Sequence, residues 1–224
     1  MSGGRFGLII VAAGSSSRMQ GIDKVWAPLG GRSVLSHSVA NLGPFCDEVV
    51  VVVRADQVER TVSVFGSEPN LRVVTGGNDR RASVSAGLHA LGDVEFIAVH
   101  DCARPLATPS LLQSGREALH RWAAAIPVIP VSDTVKRVDP DGQVAETIPR
   151  DSLRLVQTPQ LFRAPALRQA HDWASGLGEP VTDDASLLEA QGMIVGTILG
   201  DVRNVKITTP LDLQVARFLV ETGA

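Results

Sequence analysis

Short, continuous apolar runs rich in valine and isoleucine recur along this chain, and segments with helical patterning separate them. They read FGLIIVAA (residues 6–13), EVVVVVR (48–54), LRVVTG (71–76), EFIAVHD (95–101) and AAIPVIPV (124–131). A strand that is apolar on both faces needs cover on both faces, and a helix between successive strands implies a crossover and hence parallel pairing. The expected fold class is α/β with a mostly parallel sheet, carried by one domain spanning residues 1–224.

Helix signals fill the intervals. Ser33 is placed to cap VLSHSVANLG, which ends at Gly43 and Pro44. Thr108-Pro109 and Thr209-Pro210 each set a cap followed by proline at the first helical position, and Asp212 adds favourable charge to the first turn of a closing helix. The alternation breaks at SDTVKRVDPDGQVAETIPR (132–150), where two extended halves flank Asp139-Pro140-Asp141-Gly142. Proline presets φ and glycine accepts positive φ, so this stretch is expected to be a β-hairpin arm at about 131–152. A long, mostly polar hairpin is poorly stabilised alone. The expected partner is a second copy of the chain, in a homodimer joined through the arm.

With 21 basic and 24 acidic residues the net charge is −3, so the chain offers no bulk electrostatic case for nucleic acid or a membrane surface. No apolar run approaches the roughly 20 residues that cross a bilayer. The N-terminal apolar stretch is short, follows a single arginine and runs into a charged loop, which fits a first core strand better than a secretory leader. Cys46 and Cys102 lie far apart without C-x-x-C spacing, so neither zinc nor a disulfide framework is indicated and a cytoplasmic location is expected.

Any bound anion must therefore meet a local site. The segment VAAGSSSRMQGIDKVW (11–26) ends the first strand in small residues whose N–H groups can form a nest, and Arg18 and Lys24 follow with positive charge. It matches neither G-x-G-x-x-G nor the Walker pattern. The third strand ends in VVTGGNDRRASV (73–84), with Arg80 and Ser83 early in a helix, and the fourth in VHDCARP (99–105), with Asp101 and Arg104. Ligands of open α/β sheets bind beyond the carboxyl ends of the strands, and three such ends carrying small or polar residues point to one site.

AAGSSSRM, the Lys24 segment, GGNDRRASV, HDCARP, DTVKR, TPQLF, TDDAS and NVKIT occur in this order over nearly the whole chain. Together they resemble the successive motifs of the 2-C-methyl-D-erythritol 4-phosphate cytidylyltransferases. The resemblance implies a Rossmann-like nucleotidyltransferase sheet and transfer of a cytidylyl group from CTP to a small polyol phosphate, methylerythritol phosphate, with pyrophosphate released and Mg²⁺ as cofactor. It places Arg18 and Lys24 at the α-phosphate and Ala12, Ala13 and Gly14 around the triphosphate. Gly77, Asn78 and Ser83 would read the cytosine and ribose, Cys102 would line the nucleotide site, and Asp101 would contact ribose or hydrated magnesium. Arg150 and Lys206 would hold the acceptor phosphate for in-line attack, with Arg104, Thr134, Thr158 and Thr182 lining its site. The family commonly has glycine where Ser16 stands, Asp at Asn78, Gln at Val25 and Ala at Cys102.

Because the nucleophile is an anionic phosphate, no general base is needed, and positioning and electrostatics carry the chemistry. Cytidylyl transfer to ribitol 5-phosphate is the nearest alternative, and a non-catalytic nucleotide-binding protein a more distant one. His37, His89 and His120 suit no metal at their spacings and are expected at the surface or in packing. His100 can stand behind Asp101, Asp183-Asp184 is expected to charge a first helical turn, and Trp26, Trp122 and Trp173 are too scattered for a stacking platform.

Overall fold

The computed structural model describes residues 4–175 and 183–223. Strands β1 (Phe6–Val11), β4 (Glu48–Val53), β5 (Leu71–Thr75), β6 (Phe96–Asp101), β7 (Ala124–Pro130), β10 (Arg154–Val156), β11 (Gln160–Arg163) and β12 (Val195–Leu199) form the main sheet. The short pair β2 (Pro28–Leu29) and β3 (Arg32–Ser33) and the hairpin β8 (Val135–Val138) and β9 (Val144–Ile148) form small sheets of their own. The helices are α1 (Val34–Leu42), α2 (Val58–Phe65), α3 (Arg80–Ala90), α4 (Pro109–Ala118), α5 (Ala164–Ala174), α6 (Ala185–Ala190) and α7 (Pro210–Thr222).

The expected α/β class holds, and the period of two along each strand explains the layers. Leu8 and Ile10 of β1 and Val49, Val51 and Val53 of β4 face one core with Leu35, Leu111 and Leu213 of α1, α4 and α7. Ile9, Val50 and Val52 face the other, with Val84, Leu167 and Leu188 of α3, α5 and α6. β1 and β4 are covered on both sides, which is why their runs read as continuously apolar.

Along the sheet, β5, β4, β1 and β6 pair in parallel. The chain runs outward from β1 through β4 to β5, then returns to β6 on the other side of β1, so strand order reverses between β1 and β6. Two strands run against the rest: β10, antiparallel to β7, and β11, from the TPQLF motif, which lies between β6 and β7 and is antiparallel to both. At four residues β11 is too short for periodicity to reveal.

Ser33 and Thr209 cap α1 and α7 as expected, Thr209 in a capping box with Asp212. Thr108 stands at the cap position of α4 with Pro109 first in the helix, as expected, but its hydroxyl pairs with the Ser110 hydroxyl at 2.7 Å instead of a backbone N–H. The arm is a hairpin, with Asp139 accepting the N–H groups of Asp141 and Gln143 and Gly142 at φ 82°. Val138 and Val144, at its far end, are 57% and 60% exposed.

Candidate active site

Two adjoining cavities open at the carboxyl ends of β1 and β6, where strand order reverses. The larger, about 380 Å³, is lined by Ala12, Ala13, Gly14, Lys24, Gly77, Asn78, Ser83 and Cys102. The smaller, about 260 Å³, is lined by Arg104, Val156, Gln157, Thr158, Gln160 and Asp183. Arg80, Asp101 and Lys206 line both.

That shared wall is a charge cluster. Lys206 Nζ donates to Asp101 Oδ2 at 2.6 Å, and Arg80 Nε lies 3.4 Å from Asp101 Oδ1. Burial pushes the Asp101 carboxyl upward, but Arg80 and Lys206 outweigh it and hold the group well below the ordinary carboxylate range. Among the described residues Lys24 makes no ion pair, and a Cβ on Gly14 would stand 3.8 Å from its Nζ. Burial, then the neighbouring Lys206, lowers the Lys24 pKa. A half-buried amine without a partner, beside a small-residue loop, is a ready counter-charge for an anion.

The loops meet closely enough to require small residues. A Cβ on Gly77 would lie 2.3 Å from Ala82 Cβ, and one on Gly76 would lie 2.6 Å from Ala13 Cβ. Ser83 is buried and its hydroxyl donates to Asp79 O at 2.8 Å, so toward a ligand it can only accept. Val25, where the family has Gln, is buried and packs into the core. Cys102 is buried, and its thiol is pushed up to about 12 by burial despite the opposing pull of Lys24. Arg54 ties the opening loop down, reaching Gly14 O at 3.4 Å and Asp23 at 3.5 Å.

At the smaller cavity the Thr158 hydroxyl accepts the Asp101 N–H at 3.0 Å and meets His100 Nδ1 at 3.2 Å. His100 is fully buried, its other nitrogen 3.2 Å from Arg104 O, and burial pushes its pKa down to about 4. It stands behind Asp101 and does not face the cavity. Arg104 donates to Asn204 O and Val156 O, while its buried Nε has no partner.

Three expected residues lie apart from the cavities. Arg18 is exposed on the turn Ser17–Met19, near enough to depress the Lys24 pKa but lining neither. Arg150 is exposed and donates to Ser132 O at the base of the arm, and Thr134 is exposed on the arm's first half. Thr182 lies outside the described residues. The Asp183-Asp184 pair splits: Asp183 accepts the Ser186 N–H at the start of α6, but Asp184 turns inward to Arg80 and His171. Asp184 stands at the cap position of α6, but its side chain makes no bond to the helix start and so does not serve the expected role of charging the first turn. His37, half-buried, and His89, exposed, bond to backbone carbonyls, as expected of packing and surface residues.

The profile of the 2-C-methyl-D-erythritol 4-phosphate cytidylyltransferase family matches residues 6–222. The chain belongs to this family. A family member from Rhodococcus jostii (strain RHA1) is 44% identical over 96% of this chain and 95% of its own, and one from Dehalococcoides mccartyi (strain CBDB1) is 39% identical over 98% and 97%. Among solved structures, 4-diphosphocytidyl-2C-methyl-D-erythritol synthase from Anaerococcus prevotii superposes with a TM-score of 0.87 at 30% identity, covering 98% of this chain and 100% of that one. The Thermus thermophilus cytidylyltransferase superposes at 0.80 with 33% identity, over 97% and 99%. As a cytidylyltransferase, the chain is a nucleotidyltransferase with the Rossmann-like sheet of its relatives. The sequence left Arg80 without a role, although it sits inside the GGNDRRASV motif and lines both cavities. Its position as first residue of α3 was the available signal.

Proposed function

We propose that the larger cavity holds CTP and the smaller one 2-C-methyl-D-erythritol 4-phosphate, with the cytidylyl group passing across the wall formed by Arg80, Asp101 and Lys206. The observation that carries this division is the sharing of those three side chains by both cavities. An oxygen of the acceptor phosphate attacks the α-phosphorus of CTP. A P–O bond forms there as the bond to the bridging oxygen of the β-phosphate breaks, and pyrophosphate leaves with that electron pair. The nucleophile arrives already anionic, so no side chain has to take a proton.

The cations of this chain bring two polyanions together and take up charge in the transition state. Lys24 and Arg18 serve the α-phosphate, and Ala12, Ala13 and Gly14 leave room for the triphosphate to approach the backbone. Gly77, Asn78 and Ser83 face the nucleoside. Lys206 and Arg104, whose Nε is buried without a partner, hold the acceptor phosphate. Thr158 acts by fixing Asp101.

Among the described residues no group of three or more His, Cys, Asp or Glu side chains is placed to hold a metal ion. Magnesium fits as a companion of CTP instead, since it binds through one or two carboxylates plus phosphate oxygens. Asp101 would hold it, through lone pairs beyond those engaged by Arg80 and Lys206. Bound there, the ion would neutralise phosphate charge.

Arg150 and Thr134 belong to the same reading through a homodimer in which the arm reaches the neighbouring subunit's smaller cavity. A cytoplasmic location also belongs to it, with Cys46 and Cys102 kept as free thiols. The test is pyrophosphate release by purified protein with CTP and Mg²⁺, offered methylerythritol phosphate and ribitol 5-phosphate in parallel. Release with the first acceptor is expected; release with ribitol 5-phosphate alone would move the acceptor assignment, and silence with both would sink the catalytic reading.

A further inference from the structure

Behind the shared wall lies a buried pair that the chemistry above does not use. His171 of α5 and Asp184, which precedes α6, have side chains only 3% and 2% exposed. His171 Nε2 lies 3.0 Å from Asp184 Oδ1, and because a carboxylate can only accept, Nε2 carries the hydrogen. The other carboxylate oxygen, Oδ2, accepts from Arg80 Nη1 at 2.6 Å. Arg80 is thus held by Asp184 more closely than by Asp101, which stands 3.4 Å from its Nε.

We infer that Asp184, oriented by His171, is a positioning residue for the transfer reaction: it keeps Arg80 from closing fully on Asp101 and so leaves Asp101 free to place Lys206. Arg80 has two carboxylates within reach and Lys206 has one. Without the Asp184 charge, the guanidinium fork can take both oxygens of Asp101, the bidentate geometry it favours. The ammonium of Lys206 is then displaced from its 2.6 Å contact at the junction of the two cavities. The loss falls on the acceptor side, because among the described residues Arg80 is the one lining residue of the larger cavity that hydrogen-bonds to the Asp184 side chain. Packing of α5 and α6 into one apolar core, through Leu167, Ala170, Leu187 and Leu188, sets where this anchor stands.

The inference rests on the assignment of the two cavities, and the parent chain assayed alongside separates the two: a silent parent overturns both, whereas an active parent leaves only the anchor in question. Asp184→Asn keeps the shape and removes the charge. Misplacement of a catalytic group by a remote change costs on the order of tenfold to a hundredfold in rate. The expected result is a fall in kcat of about tenfold or more and a raised KM for the acceptor, with KM for CTP changed by less than about threefold. Introduced into an Arg80→Gln background, the same substitution should cost less than about twofold more, because residues acting through one another are not additive. Unaltered kcat in Asp184→Asn, or losses that multiply in the double variant, would overturn the inference. Should Asp184→Asn fail to fold, His171→Gln carries the test, since it removes the ring and leaves the Asp184 charge on Arg80. A kcat loss of about threefold or more that vanishes in the Arg80→Gln background supports the anchor, and full activity or an undiminished loss overturns it.

Discussion

Ser16 holds a left-handed backbone, at φ 55° and ψ 25°, and its hydroxyl accepts the backbone N–H of Lys24 at 3.2 Å. At the position where the family commonly has glycine, this chain keeps a conformation natural to glycine while using a side chain. The conformation costs a non-glycine residue about 1–2 kcal/mol. The hydrogen bond returns part of that and fixes the segment from which Lys24 projects.

Two substitutions separate strain from tether. Ser16→Ala keeps the strain and loses the bond, so it should unfold in urea with about 1 kcal/mol less stability. Ser16→Gly loses both and should lie within about 1 kcal/mol of the parent, while sharing with Ser16→Ala a reduced kcat. Equal stability of Ser16→Ala and the parent would show that the hydroxyl holds nothing.

The unfolded chain takes up a proton at His100 below pH 6.5 that the native state refuses until about pH 4. Between those values the unfolded state binds more protons, so stability falls as pH falls through this window. The total loss is roughly 3 kcal/mol. His100→Gln should flatten the slope of unfolding free energy across this window, measured by urea titration at several pH values. An unchanged slope would place the acid sensitivity elsewhere.

Lys24→Ala should lower kcat by about two to three powers of ten, equivalent to about 3–4 kcal/mol, with the circular dichroism spectrum preserved. Arg150→Ala should also be impaired if the arm completes a neighbouring site. Mixing the two inactive chains then restores activity, because one of the two sites in a mixed dimer receives both an intact Lys24 and an intact Arg150. Mixed dimers that stay as inactive as either parent would return Arg150 to its own chain's site or remove it from catalysis.

The sheet was legible because doubly covered strands leave continuous apolar runs and caps leave residue pairs, as at Thr209 and Asp212. The cavity-lining glycines, Lys24, Asp101 and Lys206 were legible because they punctuate strand ends or sit in family motifs. β11 was not, since its apolar residues are too few to show a period. Asp184 was misjudged for another reason: two adjacent aspartates look alike in sequence, but only backbone direction decides that Asp183 turns to the Ser186 N–H while Asp184 turns to Arg80. Thr108 takes the cap position read from its proline neighbour, but its hydroxyl pairs with that of Ser110 rather than with the helix N–H groups.

The placement of β11 between β6 and β7 divides labour along the gene. Residues 11–103 supply most of the larger cavity, and residues 156–160, 183 and 206 supply most of the smaller one, yet Gln160–Arg163 pair directly with Phe96–Val99. On the proposed division, acceptor preference is expected to be open to re-engineering at Val156, Gln157, Thr158 and Gln160, with Lys206 of the shared wall retained and the nucleotide half kept unchanged. A wholesale exchange of the second half between relatives has to preserve that four-residue seam, or the graft arrives with its two ligands no longer facing each other.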